Sequence, residues 1–232
     1  MVRTGMVLAA VFFLATVQAY GNDTSTKLPE GFVYVEKMIP SLVLELHYIT
    51  NENFIGRPID GYEAPRCILT REAAEAVAAV QERLRPFGLG LKVFDAYRPQ
   101  RAVDHFVRWA KDPDDILRKA EYYPDIAKNR LFPEGYIAER SSHSRGSTVD
   151  LTIVSIRPET MGRELDMGTG FDFFGPESAP LFPGISDEQR AHRLLLQTLM
   201  VQHGFAPYAE EWWHFTLKDE SFPNTYFDFP VR

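Results

Sequence analysis

Two polar segments far apart in the sequence constrain the fold of this chain more than any other feature. The first reads Ser-Ser-His-Ser-Arg-Gly-Ser-Thr-Val-Asp over residues 141–150, and the second reads Glu-Trp-Trp-His over residues 211–214. His143, Asp150 and His214 are three potential ligands, the number that a catalytic zinc ion keeps when its fourth position holds water. Glu211 would be a base able to accept a proton from that water. A fold that uses them must bring the two segments together, and the combination indicates a hydrolase.

The spacing of the first segment favours a loop followed by a strand. His143 and Asp150 would share a face of a helix, but Gly146 and the neighbouring serines argue against a helix there. Residues 149–156 alternate like a strand, with Val149 and Leu151 on one side and Asp150 on the other. We therefore expect a loop to deliver His143 and a strand to deliver Asp150.

The second segment contains a conflict of strand geometry. A regular last strand over residues 212–217 would place His214 on one face and Glu211 on the other. Glu211 then could not reach a metal-bound water. We predict an irregularity, either a strand that begins at Trp212 or a bulge that re-aims Glu211. We expect Trp212 and Trp213 to be core residues.

The opposing interpretation is that these are scattered polar residues, because a lone histidine is more often structural than a ligand. That interpretation suffices for the other histidines in the chain, namely His47, His105, His192 and His203. It explains less well four such residues grouped in two short segments beside tryptophans. Spacing alone leaves both interpretations open.

The remaining pattern predicts a single α+β domain with a mainly antiparallel sheet, packed helices and a zinc site. Early strands are expected within residues 31–49, a loop over 51–66, and a strand over 89–95. A helix capped by Thr70 should bury Ala73, Val77, Val80 and Leu84, and a second helix should bury Val103, Phe106, Val107 and Ala110. Residues 161–183 predict a long loop, and Ser186 to Gln189 predict a capping box for a last helix.

The N-terminus has the pattern of a secretory signal over residues 1–19, with Arg3 before a short apolar run and a cleavage site after Ala19. Residues 20–30 predict a flexible lead-in, and residues 31–232 the domain itself. Removing Arg3 changes the formal charge from −7 to −7 − 1 = −8, which argues against nucleic acid as a partner. Cys67 is the single cysteine, expected to be buried and inert, so no intrachain disulfide can form.

The two motifs together closely resemble the VanX-type D-alanyl-D-alanine dipeptidases, which are zinc peptidases. Further matching segments are Gly56 to Glu63, Asp95 to Pro99, Phe171 to Phe173 and Tyr226 to Pro230, so the resemblance spans roughly residue 48 to the C-terminus. It departs at Thr148, where the family usually has alanine. It also departs at the signal sequence, which cytoplasmic members lack.

The resemblance implies a role for each matching site residue. His143, Asp150 and His214 would bind one zinc ion per chain, and Glu211 would be the catalytic base. Arg98 would stabilise the transition state, whereas its sequence context alone favours a surface salt bridge. Tyr48, Ser141 and Asp172 would hold the dipeptide, with Asp172 suited to its ammonium and Ser141 to its carboxylate.

We therefore expect a zinc D-Ala-D-Ala dipeptidase that is exported, to the periplasm, and does not stay inserted in the membrane after signal cleavage. Outside the cytoplasm its dipeptide would come from cell-wall turnover, which favours nutrient recovery over glycopeptide resistance. The alternatives are a D,D- or L,D-carboxypeptidase acting on longer cell-wall peptides and a non-catalytic zinc or peptide-binding protein. The sequence does not indicate an oligomeric state.

Overall fold

The computed structural model describes residues 27–232. The predicted signal over residues 1–19 and most of the predicted lead-in over residues 20–30 therefore lie outside the described residues. Within residues 27–232, no helix has both the length and the apolar character needed to cross a bilayer.

The described residues form seven strands and five α-helices, with short 3-10 turns between them. The strands are β1 Phe32–Tyr34, β2 Val43–Leu44, β3 Ile68–Thr70, β4 Leu89–Asp95, β5 Thr148–Ser155, β6 Phe205–Pro207 and β7 His214–Leu217. The helices are α1 Val35–Met38, α2 Arg71–Leu84, α3 Gln100–Lys111, α4 Lys119–Tyr122 and α5 Asp187–Gln202.

A five-stranded sheet in the order β2-β4-β5-β7-β6 organises the molecule. Only the β2–β4 pair within it is parallel, so the predicted α+β class with a mainly antiparallel sheet is confirmed. The register places Asp95 opposite Asp150, and Asp150 opposite His214. Three polar side chains thus lie in one row across three neighbouring strands, and an irregularity in β4 between Val93 and Asp95 ends its regular pairing there.

Helix α2 follows the predicted pattern and buries its apolar stripe. Ala73, Val77, Val80 and Leu84 are all essentially inaccessible to solvent. The hydroxyl of Thr70 does not cap the helix, however, because it bonds Ser147 Oγ at 2.9 Å instead. The start of the helix was therefore predicted correctly, and the reason given for it was wrong.

The helices α3 and α5 pack apolar faces into the same core. In α3 the buried set includes Trp109, and Val107 is only partly buried. The predicted capping box at Ser186 and Gln189 is present at the start of α5. That helix buries Leu196 and Met200, whereas Leu194 is 63% exposed.

The early segment matches the prediction in part. Early strands were expected within residues 31–49, and β1 and β2 lie there, but the helical turn α1 separates them. Val35 is completely buried in this helical turn, and its N–H donates to Cys67 O at 2.8 Å. A short pattern with an apolar residue at every second position fits a strand and a single buried helical turn equally well. Alternation over so few residues therefore could not distinguish the two structures. Cys67 is buried and free, as predicted.

The C-terminal strap, residues 222–231, closes a second small core over the β1–β3 pair. Phe222, Phe227, Phe229 and Val231 pack there around Phe32, Ile68 and Tyr97. The N–H of Phe227 donates to Ser144 O at 2.8 Å, and Phe227 O accepts from Gln100 N–H at 3.0 Å. The strap therefore bonds both the turn that carries His143 and the start of α3.

Candidate metal centre and active site

The three predicted metal ligands converge in the structure. Asp150 lies in β5 and His214 is the first residue of β7, directly opposite it. His143 comes from the 3-10 turn Ser142–Arg145, which Gly146 ends in the left-handed conformation with φ 83°. The predicted arrangement of a loop histidine beside a strand carboxylate is therefore confirmed.

The side-chain atoms of these residues point at one another. His143 Nε2 lies 3.2 Å from Asp150 Oδ2, and His214 Nδ1 lies 3.1 Å from Asp150 Oδ1. The two imidazole nitrogens are 3.3 Å apart. Their potential ligand atoms all fall within 4.8 Å of one another, close enough to share one metal ion.

The burial and hydrogen bonding of Asp150 indicate whether a cation fits this site. Its side chain is 2% exposed, and Oδ1 makes no hydrogen bond although His214 Nδ1 is near. A buried carboxylate oxygen without a hydrogen bond is costly unless an ion or water satisfies it. Two histidines and one carboxylate suit zinc by ligand type and number, so the donor set fits this metal.

The outer nitrogen of each histidine is held by a different contact. His143 Nδ1 lies 2.6 Å from Ala96 O, which can only accept, so Nδ1 carries the proton and Nε2 is left to face Asp150. His214 Nε2 lies 3.3 Å from Ser142 Oγ. The first contact turns the unprotonated nitrogen of His143 inward, and the second allows the same for His214 because a hydroxyl can accept from Nε2.

Behind Ser142 runs a chain of hydroxyls that the sequence did not predict. Thr216 Oγ1 donates to Ser142 Oγ at 3.4 Å, and Thr148 Oγ1 lies 2.9 Å from Thr216 Oγ1. Thr148 is the residue at which the sequence departs from the family's usual alanine. In the structure it is completely buried and joins this hydroxyl chain of Thr148, Thr216 and Ser142.

The surroundings favour an ionised Asp150 beside a neutral His214. Burial alone would raise the pKa of Asp150, but the adjacent His143 and His214 hold it well below its usual value. Burial lowers the pKa of His214, which favours the neutral imidazole that metals bind.

Arg98 follows the end of β4 and points into the same site. Its Nε donates to Asp95 Oδ2 at 2.9 Å, and one terminal nitrogen lies 3.4 Å from Asp150 Oδ2 and 3.5 Å from Tyr48 Oη. Tyr62 donates to the other oxygen of Asp95 at 2.7 Å. Asp95 thus orients Arg98, a role missed by sequence reasoning even though Asp95 lies in the motif that drew attention to Arg98.

Glu211 reaches the site because the strand does not extend to it. Residues 211–213 form a turn, and β7 begins at His214, two residues later than the predicted Trp212. Glu211 Oε2 lies 3.6 Å from His214 Nδ1. The predicted irregularity is therefore present, as a turn. Burial and the nearby Asp150 raise the pKa of Glu211 well above its usual value.

Tyr48 and Asp172 form a buried pair beside Arg98. Tyr48 Oη donates to Asp172 Oδ2 at 2.8 Å. Asp172 has φ 60°, a left-handed conformation that is uncommon for a residue other than glycine. Burial and Asp150 raise the pKa of Asp172 well above its usual value.

Ser141 precedes the turn that carries His143. Its Oγ accepts from the N–H of His143 at 3.3 Å, which makes it the cap of that turn. Because the oxygen accepts in this bond, the hydroxyl hydrogen remains for a further acceptor.

One cavity of about 390 Å³ unites these residues, and its size is ordinary for a small-molecule site. All eight residues predicted for the site line it: Tyr48, Arg98, Ser141, His143, Asp150, Asp172, Glu211 and His214. The tryptophans of the second segment are buried, as predicted.

Comparison with known proteins gives a consistent result. The chain is 44% identical over 200 residues to a D-alanyl-D-alanine dipeptidase of Streptomyces coelicolor, covering 86% of this chain and 98% of that protein. It is 41% identical over 202 residues to one of Enterococcus faecium, covering 87% and 98%. A solved point mutant of the vancomycin-resistance D,D-pentapeptidase VanY, in complex with Zn(II), aligns over 68% of this chain and 77% of its own at 14% identity, with a TM-score of 0.39.

The family assignment rests on the sequence matches. The profile of the peptidase family described as D-ala-D-ala dipeptidase matches residues 29–232, nearly the whole described part of the chain. This protein therefore belongs to the D-ala-D-ala dipeptidase family of peptidases.

Proposed function

We propose that this chain hydrolyses the free dipeptide D-Ala-D-Ala to two molecules of D-alanine, with one zinc ion bound by His143, Asp150 and His214. The observation that carries the proposal is the convergence of those three side chains on one point, with a buried Asp150 oxygen that lacks a hydrogen bond. The dipeptidase relatives support the choice of substrate. A zinc ion at this point would supply an acidified water and a polarised scissile carbonyl.

Glu211 is the group placed to move the proton. It lines the same cavity, within 3.6 Å of a proposed ligand nitrogen. A general base works best when its pKa lies near the working pH, and the burial that raises the pKa of Glu211 moves it in that direction. The same carboxyl group would then return the proton to the leaving amine.

Arg98 supplies the positive charge opposite the developing oxyanion. Burial alone would lower the pKa of Arg98, but Tyr48 and Asp95 raise it, so its guanidinium stays charged. Its Nε is held by Asp95, while its terminal nitrogen faces the cavity near Asp150. A fixed, partly buried cation of this kind stabilises developing negative charge more strongly than one in water.

The ends of a free dipeptide need opposite partners. Asp172, oriented by Tyr48, offers a buried carboxylate to the substrate ammonium. A bound ammonium would also offset the burial that raises the pKa of Asp172. Ser141 has a hydroxyl hydrogen left to donate to the substrate carboxylate.

The test offers the zinc-supplemented protein D-Ala-D-Ala and L-Ala-L-Ala and follows amine release. We expect hydrolysis of D-Ala-D-Ala that is lost on chelation and restored by zinc. Intact D-Ala-D-Ala after prolonged incubation with zinc-loaded protein would refute the dipeptidase and favour a binding protein.

We also propose that the protein is exported, to the periplasm, and acts in cell-wall turnover. The support is the charged start, apolar run and small-residue cleavage site within residues 1–19. N-terminal sequencing of protein recovered from the periplasmic fraction should begin at Tyr20. Full-length protein in the cytosol would refute export without affecting the proposed reaction.

A further inference from the structure

A contact between two walls crosses the rim of the cavity at Tyr208 and Gly135. Tyr208 Oη donates to Gly135 O at 3.3 Å, and both residues line the cavity. They are distant in sequence and come from opposite segments, one following β6 and the other following α4. We refer to this pair as the rim contact.

The Tyr208 side of the contact is fixed close to the proposed metal site. Its ring centroid lies 5.4 Å from that of His214, and its N–H donates to His214 O at 3.1 Å. Pro207 precedes it at the end of β6. The ring therefore lies beside one of the proposed metal ligands.

The Gly135 side is a tight turn with anchored ends. Leu131 and Ile137 are both buried, and the N–H groups of Tyr136 and Ile137 donate to Leu131 O at 3.0 and 3.1 Å. Gly135 has φ +84°, and a Cβ added there would lie 2.9 Å from Tyr208 Oη. Glycine thus permits both the turn and the close approach of the tyrosine.

We propose that the Tyr208 ring, at the rim contact, sets the length of the substrate by closing one end of the cavity to any peptide longer than a dipeptide. A peptide advances about 3.3–3.6 Å per residue. A chain whose scissile bond binds beside His214 would reach the Tyr208 ring within about two residues. The Tyr208 ring would exclude a third peptide residue by occupying its space, and not by charge repulsion. This inference rests on the proposed function.

The test compares Tyr208→Ala with Tyr208→Phe, which keeps the ring and removes only the hydroxyl. Phe87→Ala is the control, because Phe87 is an aromatic residue 67% exposed that does not line the cavity. Each zinc-supplemented protein receives D-Ala-D-Ala, its N-acetyl derivative and D-Ala-D-Ala-D-Ala, so that extension is tested at both ends.

We expect the wild-type protein, Tyr208→Phe and Phe87→Ala to hydrolyse the dipeptide in strong preference to both longer substrates. In Tyr208→Ala, the kcat/KM for one of the longer substrates relative to the dipeptide should rise at least about tenfold, or about 1.4 kcal/mol. The end at which the gain occurs identifies the end that the rim contact closes.

Two results would overturn the length limit while leaving the dipeptidase intact. One is efficient hydrolysis of a longer substrate by the wild-type protein. The other is a Tyr208→Ala variant that hydrolyses the dipeptide yet gains neither longer substrate. A wild-type protein that hydrolyses none of the three peptides would overturn the proposed function itself, and the length limit with it.

Discussion

Replacing Ser142 by alanine should weaken zinc binding without removing any ligand. Ser142 Oγ lies 3.3 Å from His214 Nε2, and Thr216 Oγ1 donates to the same oxygen at 3.4 Å. With Nδ1 of His214 bound to zinc, Nε2 would carry the proton and donate it to Ser142. The substitution removes that acceptor, so the ring loses the bond that selects its tautomer and fixes its orientation.

The contact geometry sets the expected size of the effect. Loss of an outer partner of a metal-binding histidine typically costs 10–100-fold in metal affinity, or about 1.4–2.7 kcal/mol. At 3.3 Å the Ser142 contact lies at the long end of the normal range, and His214 is only partly buried, so water can replace part of it. We therefore expect an increase in the zinc Kd of about tenfold. Thr148 lies two hydroxyls beyond Ser142 in the chain of hydroxyl groups, so Thr148→Val should raise the zinc Kd less.

The assay is competition for zinc with a chelator of known affinity, at fixed pH. Ser155→Ala is the matched control, because this serine lies at the far end of β5 and its hydroxyl bonds Thr160 instead. An unchanged Kd in Ser142→Ala, within about twofold or roughly 0.4 kcal/mol, would refute the reasoning. An equal increase in Ser155→Ala would also refute it.

Three further predictions concern the base, the strap and the turn of the site. Glu211→Gln should lower kcat by about 10²- to 10⁴-fold while zinc content, measured by atomic absorption, stays near one per chain; lost zinc would mean that Glu211 is a ligand. The pKa of Asp228 is lowered by its hydrogen bonds from Arg101, so its stabilising effect should be present above the unfolded pKa of about 3.9 and be lost as pH falls through the folded value. Thermal melts of Asp228→Asn and wild type should accordingly differ at pH 7 and converge in acid, and a gap that persists in acid would contradict this. Gly146→Ala should destabilise the fold by about 1–3 kcal/mol in urea titration, because a Cβ there, at φ +83°, would clash with a phenyl ring of β1. Gly162→Ala, with φ +78° but open space around it, is the control, and an equal loss would assign the effect to backbone strain alone.

Elements with local determinants were predictable from the sequence. Strand β4 has the predicted bounds, and α5 begins with the predicted reciprocal bonds of Ser186 and Gln189. In each case the deciding residues lie within a few positions of one another, so their preferences do not depend on the tertiary fold. Thr70 shows the limit of such reasoning, because a partner from a distant strand competed successfully for its hydroxyl.

The site was predictable as a set of residues, but not as a network. The proposed metal-binding trio and Glu211 could be selected because few structural roles explain two histidines and two carboxylates in such short segments. The partners that orient them could not be selected, since contacts such as Thr148 with Thr216 depend on strand register across the sheet. Asp95 and Ser142 lay beside residues already singled out, which is the signal that would have identified them.

The position of Glu211 was decided by a conflict within the sequence. Ideal alternation placed it on the wrong face, while the chemistry required it beside His214. A bond from Trp212 N–H to Ser178 O, in the long loop before α5, holds the turn that resolves the conflict. No local pattern predicts a contact with so distant a loop residue, although the need for an irregularity could be inferred.

The C-terminal strap has a consequence for the order in which the molecule can mature. Phe227, in the strap, follows every proposed ligand in the sequence, yet it bonds Ser144, beside one proposed ligand, and Gln100, near the arginine of the site. A nascent chain that has emerged only as far as His214 still lacks Phe227, whose N–H bonds the turn that carries His143. We therefore expect a chain that ends before residue 222 to keep every proposed ligand but to bind zinc less tightly, because the turn that carries His143 would lose its hydrogen bond from Phe227.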